Sequence, residues 1–253
     1  MNASRTALVT TAALTTILLI ALGQGSIAST DDALYAQMAR EMAGSGRWLT
    51  ATWLGVEVFE KPPLLLWLLR VTGPLFGWSE FGLRLPGVLG AAVALFYSCR
   101  LANEGGDSPW PGVVAGVLMV ATVTFTFNAR RPMTDPLLCG AVMASIWYAS
   151  RLALSPDRRA AVGLGIAGGL GLLAKWVALG PVALVCAVVL ARARRWRSIG
   201  LATAVAVLVA GPWFAAMTAT HGGAFWEVFL GYHVVERAGA ALVGAAPWTV
   251  YAE

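Results

Sequence analysis

Asp31 and Asp32 stand at the end of the first apolar run, and Glu60 and Lys61 precede the stiff pair Pro62 and Pro63. Asp135 follows Arg130 and Arg131, and Lys175 interrupts a long apolar stretch. A carboxylate at the exit of a membrane segment can serve as a base or bind a divalent cation. A lysine on stiff backbone is a point charge for a phosphate. Each residue also has a plainer reading. Ser29 with Asp32 three positions on makes a capping box, and acids in a first turn favour the helix dipole. Capping accounts for Asp32 more comfortably than for Asp31, which is divided between capping and chemistry. Glu60 and Lys61 also read as an interfacial ion pair worth little. Asp135 reads as a helix N-terminal acid with an arginine neighbour, Lys175 as a snorkelling lysine, and Arg237 as a loop arginine.

The elements that must position these residues are membrane spans. The 253 residues are 58% hydrophobic and 12% charged, which excludes an ordinary soluble domain. The formal charge of +5 does not imply nucleic acid, because the basic residues mark the ends of apolar segments. Cys99, Cys139 and Cys186 lie inside apolar runs with no CxxC and no neighbouring histidine, so they read as small buried apolar residues. His221 and His233 are too isolated to propose as ligands.

An all-α polytopic membrane protein with about seven transmembrane helices is therefore expected. The interval between Arg5 and Asp31 suffices for a first, uncleaved span, although it also imitates a secretory signal. Leu34, Tyr35, Met38 and Met42 then form an apolar stripe at helical spacing. Leu64 to Leu69 is too short to cross and reads as interfacial or re-entrant, followed by Arg70 and a Gly73-Pro74 turn. Further spans are expected at about 85–102, 109–128, 136–150, 160–174, 177–191 and 198–219. One long helix over 160–191 would bury the Lys175 ammonium at about 2.5 to 3.5 kcal/mol. Two short helices turning near Lys175, assisted by Gly180 and Pro181, fit better.

With the N-terminus inside, Arg5, Arg100, Arg151, Arg158, Arg159, Arg192, Arg194, Arg195 and Arg197 all fall on the cytoplasmic side. Asp31, Asp32, Glu60, Lys61, Arg130, Arg131, Asp135, Lys175, His221, Glu236 and Arg237 then share the outer face. Cations beside a membrane fit a phosphate-bearing lipid, and acids among them fit metal or acid–base chemistry.

The run DDALYAQMAREMAGSGRWLTATWLGVEVFEKPPLLLWLL, followed by WSEFGLRLPGVLGA, closely resembles the first outer loop and second span of GT-C membrane glycosyltransferases of the aminoarabinosyltransferase and bacterial protein-mannosyltransferase-like group. RPMTDPLL, GLGLLAKW and, more loosely, HVVERAGA continue the match over essentially the whole chain. The resemblance implies a transferase using a polyprenyl-phosphate-linked sugar, acting in the bacterial inner membrane on the periplasmic side. Its acceptor would be a lipid A-like or other glycolipid, a polysaccharide or a protein. The resemblance assigns Asp31, Asp135 and Glu60 to catalysis, with a divalent metal at Asp31. It assigns Lys61, Lys175 and Arg237 to the lipid phosphate, and Asp32, Tyr35 and Arg131 to support.

The chain departs from the pattern at Leu34, where relatives commonly carry arginine, at Trp176, where glycine often follows the lysine, and in the compressed Thr134-Asp135-Pro136. Relatives also continue through more spans, so residues 1–253 read as an N-terminal portion of the module. Within it, 28–83 forms the first periplasmic loop and 219–253 a later, truncated one. The alternative function is a non-catalytic membrane module: a truncated copy, or a lipid-phosphate-binding scaffold or transporter-like protein.

Overall fold

The computed structural model describes residues 3–27, 30–59 and 61–230. Ser29, Glu60, His233 and Arg237, and most of the later loop, lie outside these. The described chain is helical apart from one small hairpin. Helix α1 (Ala3–Leu19) is followed by α2 (Thr30–Ser45), the strands β1 (Ala51–Trp53) and β2 (Val56–Val58), and α3 (Leu64–Leu75). Then come α4 (Glu80–Ala102), α5 (Trp110–Ala121), α6 (Val123–Ala129), α7 (Thr134–Leu154), α8 (Arg158–Arg192) and α9 (Trp196–Trp226).

Among the described residues four helices, α4, α7, α8 and α9, are long and apolar enough to cross a membrane, and a fifth span forms if α5 and α6 count together. The expected seven apolar segments are all helical, but their lengths differ from a simple row of spans. Helix α1 has 17 residues, shorter than α4 with 23 and α7 with 21. Segment 109–128 is not straight: α5 and α6 meet at 76° at Thr122. The hydroxyls of Thr122 and Thr126 donate to the carbonyls of Leu118 and Val120, which satisfies backbone acceptors at the break.

Helix α8 reverses direction. Lys175 has φ −162 and ψ 75, extended backbone in the middle of the helical run. Ala160 and Ala161, near its start, share one buried cluster with Leu190, near its end, and with Leu152 of α7. A straight helix would separate Ala160 and Leu190 by about 45 Å. The arms 158–174 and 176–192 therefore lie antiparallel. The reversal falls at Lys175 itself, and Gly180 and Pro181 are helical. The Gly73-Pro74 pair likewise does not end α3, which runs on to Leu75 before Gly77 and Trp78, both with positive φ, turn the chain.

Polar groups gather at both ends of α7. Arg195 donates to the carbonyls of Leu152 and Leu154, and Arg151 pairs with Glu104 at 3.4 Å, at the C-terminal end of α7. Asp135 sits in the first turn of the same helix. Sixteen residues of helix put these two ends about 24 Å apart. Leu14, Leu18 and Leu22 of the α1 segment pack against Val88, Ala91 and Leu95, so α1 runs alongside α4.

Glycines bring α4 against the turn that starts α7. A Cβ on Gly87 would stand 2.5 Å from the Arg131 carbonyl oxygen, and one on Gly90 would stand 2.6 Å from the Pro136 carbonyl carbon. Gly87→Ala is therefore expected to displace the 129–131 backbone and to cost about 1–3 kcal/mol of stability. A thermal midpoint in detergent equal to that of the parent protein would contradict this close approach.

Helix α2 lies over α3. Tyr35, Met38, Ala39 and Met42 of α2 are buried with Leu65, Leu66 and Leu69, as the apolar stripe requires. The β hairpin was not evident in the sequence. Its turn residues Leu54 and Gly55 both have positive φ, as a two-residue hairpin loop requires. Their amides donate to the Glu41 carboxylate at 2.9 and 3.2 Å.

Glu41 also accepts from Gln37 at 2.9 Å. Led by the Gln37 bond, these contacts hold its carboxyl down at about 2. A depressed acid contributes stability above its unfolded value of 4.5, and that contribution is lost as pH falls through about 2. Amide protection at Leu54 and Gly55 is thus expected to persist to about pH 4.5 and to decline below it. Hydrogen exchange across that range checks this, and Glu41→Gln should abolish the dependence.

Candidate active site

The outer end of the bundle joins residues from α2, the α6–α7 turn, α7 and the α8 reversal. Arg131 reaches Asp32 with Nε at 3.1 and 2.9 Å from the two carboxylate oxygens and Nη2 at 2.9 Å from one of them. Asp32 is 5% exposed, so this is a two-pronged pair withdrawn from water. The Phe127 ring lies 5.0 Å from the same guanidinium. Hydrogen bonding to Asp32, with the added charges of Asp32, Asp31 and Asp135, holds Arg131 protonated even more firmly than usual. One guanidinium thus stands in the field of three carboxylates. The Asp32 carboxylate is engaged by Arg131 across 99 residues, where the sequence pattern had suggested a helix cap.

Lys175 Nζ lies 2.8 Å from Asp135 Oδ1, with both side chains a little under half exposed. The extended backbone at Lys175 places the lysine at the apex of the α8 hairpin, level with the first turn of α7. Asp31 is exposed in the first turn of α2. Lys61 is half-buried between β2 and α3, with Pro62 and Pro63 buried after it. The structure therefore assembles Asp31, Asp32, Arg131, Asp135 and Lys175. Tyr35 is placed away from solvent in the α2–α3 core. Glu60 and Arg237 lie outside the described residues.

Two hollows border this cluster, and a third lies among α3, α4, α7 and α8 without reaching it. One of about 730 Å³ is lined by Asp32, Arg84, Arg130 and Arg131 among others. Another of about 390 Å³ reaches Asp135 and Asn128. A third, apolar and about 400 Å³, runs from Leu64 and Leu68 of α3 past Val93 and Leu170 to Tyr97 and Tyr148, whose hydroxyls are 2.9 Å apart. An aromatic wall completes the outer end: Phe59 and Trp67 pack with Trp176, Trp213, Phe225 and Phe229. Trp176, one of the departures from the family pattern, stacks on Phe229 at 4.8 Å.

A divalent metal was expected at Asp31. Among the described residues no three His, Cys, Asp or Glu side chains converge, and the cations beside Asp32 and Asp135 are Arg131 and Lys175. The described side chains by themselves do not assemble a metal site.

Sequence reasoning missed one further constellation. His221 Nε2 is 2.8 Å from Thr50 Oγ1 across 171 residues, and His221 Nδ1 is 3.6 Å from Glu57. Nothing local marks His221 as engaged, since its partners belong to the first outer loop.

A helical membrane bundle with acid–cation pairs at one end and arginines at the other defines a polytopic membrane protein with a polar site at one end of its bundle. A family model described as dolichyl-phosphate-mannose-protein mannosyltransferase matches residues 60–216, and the chain belongs to that family. The undecaprenyl phosphate-alpha-4-amino-4-deoxy-L-arabinose arabinosyl transferase of Edwardsiella ictaluri is 30% identical over 217 residues, covering 82% of this chain and 39% of the relative. Arabinosyl transferase 1 of Pseudomonas fluorescens Pf-5 is 26% identical over 234 residues, covering 87% and 42%.

Among solved structures, ArnT from Cupriavidus metallidurans bound to undecaprenyl phosphate superposes with a TM-score of 0.71 at 24% identity, covering 85% of this chain and 42% of that one. Its apo state gives 0.73 at 23% identity, with 90% and 44% covered. The chain thus shares the ArnT fold and spans about two fifths of the length of the relatives it matches.

Proposed function

We propose that this chain carries the acid and donor-phosphate machinery of a glycosyltransferase that moves a sugar from a polyprenyl-phosphate donor to an acceptor. The observation that carries the reading is the one-sided clustering of Asp31, Asp32, Arg131, Asp135 and Lys175, about 24 Å from the arginine end of α7. Short arginine-rich ends favour the cytoplasm, which supports a cluster on the periplasmic face of a bacterial inner membrane with the N-terminus inside. The apolar hollow that begins at Leu64, three residues after Lys61, is suited to an isoprenoid chain.

In the reaction the bond from the sugar's anomeric carbon to the phosphate oxygen breaks, and the electron pair leaves with the polyprenyl phosphate. Lys61 and Lys175 stabilise the charge that develops there. The acceptor's oxygen forms the new bond to the anomeric carbon and gives its proton to a carboxylate, for which Asp31 is the exposed choice. Asp32 and Arg131 hold the start of α2 against the α6–α7 turn, and Asp135 orients Lys175. Glu60 and Arg237 are assigned beside the donor phosphate by family resemblance. The acceptor is a glycolipid, a polysaccharide or a protein.

Full-length protein in proteoliposomes, given a panel of undecaprenyl-phosphate-linked sugars, is expected to transfer at least one of them. Lys61→Ala should weaken undecaprenyl phosphate binding about tenfold or more. A wild-type protein that neither binds undecaprenyl phosphate nor transfers any sugar of the panel would overturn the reading.

A further inference from the structure

His221, near the outer end of α9, belongs to a small constellation outside the acid–cation cluster. Its Nε2 lies 2.8 Å from the Thr50 hydroxyl and its Nδ1 3.6 Å from Glu57, while its ring rests on Phe59 with centroids 4.6 Å apart. Thr50 is 7% exposed and the His221 side chain 11%, so the contact is withdrawn from solvent although Glu57 is not. The Thr50 hydroxyl and His221 Nε2 share one hydrogen bond whose direction follows the imidazole tautomer, and the same hydroxyl lies 3.8 Å from Met217 Sδ. Arg47 lies 3.7 Å from the other oxygen of Glu57. Immediately after His221, Gly222 takes φ 57 and ψ −131, a conformation that glycine adopts readily and that bends the chain past the contact.

These contacts fall on the segment that runs into Lys61: Glu57 is four residues before it and Phe59 two. The hairpin has only three residues per strand, which is marginal alone, so its position depends on what it leans against. Glu41 holds its turn and His221 holds its open end. Beyond Lys61, Pro62 and Pro63 stiffen the backbone on the other side.

We infer that His221 is a positioning residue: through Thr50, Glu57 and Phe59 it fixes where Lys61 stands, and so sets the affinity for the donor's phosphate. The inference rests on reading Lys61 as a donor-phosphate contact. His221 touches no reacting atom in this scheme. Fixing the backbone on both sides of a flexible lysine removes conformational freedom before the phosphate arrives, so less is lost on binding.

The test uses the full-length protein in nanodiscs, with undecaprenyl phosphate as the probe. His221→Ala and Thr50→Val are each expected to weaken binding about tenfold and to raise KM for the lipid-linked sugar by a similar factor, with kcat within about twofold. Hydrogen exchange over residues 50–61 should quicken in both variants. Thr50→Ser and His221→Gln keep a hydrogen-bonding partner and should recover most of the affinity. The double variant should be no weaker than either single one, as coupled residues require.

Wild-type binding together with unmoved affinity in His221→Ala and Thr50→Val overturns the inference and leaves the transferase reading intact. So does a Thr50→Ser variant as weak as Thr50→Val. A wild-type protein that fails to bind undecaprenyl phosphate removes the reading of Lys61, and this inference with it. If His221→Ala does not fold, the Thr50 pair decides alone.

Discussion

Replacing Asp31 by Asn is expected to lower turnover by about two to four orders of magnitude while leaving the affinity for undecaprenyl phosphate within about threefold. Asn keeps the size of the side chain and is well tolerated at a helix start, so α2 should still form. It cannot accept a proton or carry charge. Asp32 and Asp135 already hold strong cationic partners, at 2.9 and 2.8 Å, and Asp31 is the exposed acid of the cluster. In barrier terms the loss corresponds to about 3–5 kcal/mol at the chemical step. Single-turnover transfer by the reconstituted full-length enzyme separates this from a binding defect. An Asp31→Asn enzyme of normal rate would remove Asp31 from catalysis, and the proton would have to go elsewhere.

The second large effect is on stability. Removing Arg131 leaves the Asp32 carboxylate charged and 5% exposed with its partner gone, and breaking a buried pair in this way costs about 3–5 kcal/mol. Arg131→Ala and Asp32→Ala should therefore each lower the thermal midpoint in detergent by several degrees. The double variant should lie well above the sum of the two losses, because it leaves no lone charge behind. Asp32→Asn is the milder case, since Asn still accepts from the guanidinium. Strictly additive effects would mean that the pair is not coupled and that α2 is anchored by its apolar stripe alone.

Much of the architecture was legible because hydropathy and charge act locally. The reversal at Lys175 is the sharpest instance, since the cost of burying one ammonium sufficed to divide an apolar run of about thirty residues. The same reasoning grouped Asp31, Asp135 and Lys175 on one face. It could not pair Asp32 with Arg131, or Thr50 with His221, because those partners lie 99 and 171 residues apart and no periodicity links them.

The bend at Thr122 was hidden for another reason: polar Thr122, Thr124 and Thr126 keep the hydropathy of a span while their hydroxyls can satisfy carbonyls freed by a break. The hairpin was missed because three-residue strands are too short to show alternation, and its Leu54-Gly55 turn carries only one glycine.

The glycine seam between α4 and the start of α7 also has a mechanical meaning. With Cβ sites on Gly87 and Gly90 only 2.5 to 2.6 Å from backbone atoms, and one on Gly140 2.7 Å from the Gly90 carbonyl oxygen, neither helix can slide along the other without collision. Arg131 and Asp135 therefore ride on a single rigid block. The Asp32–Arg131 pair ties the start of α2 to that block, so the apolar α2–α3 packing is referenced to the same rigid unit.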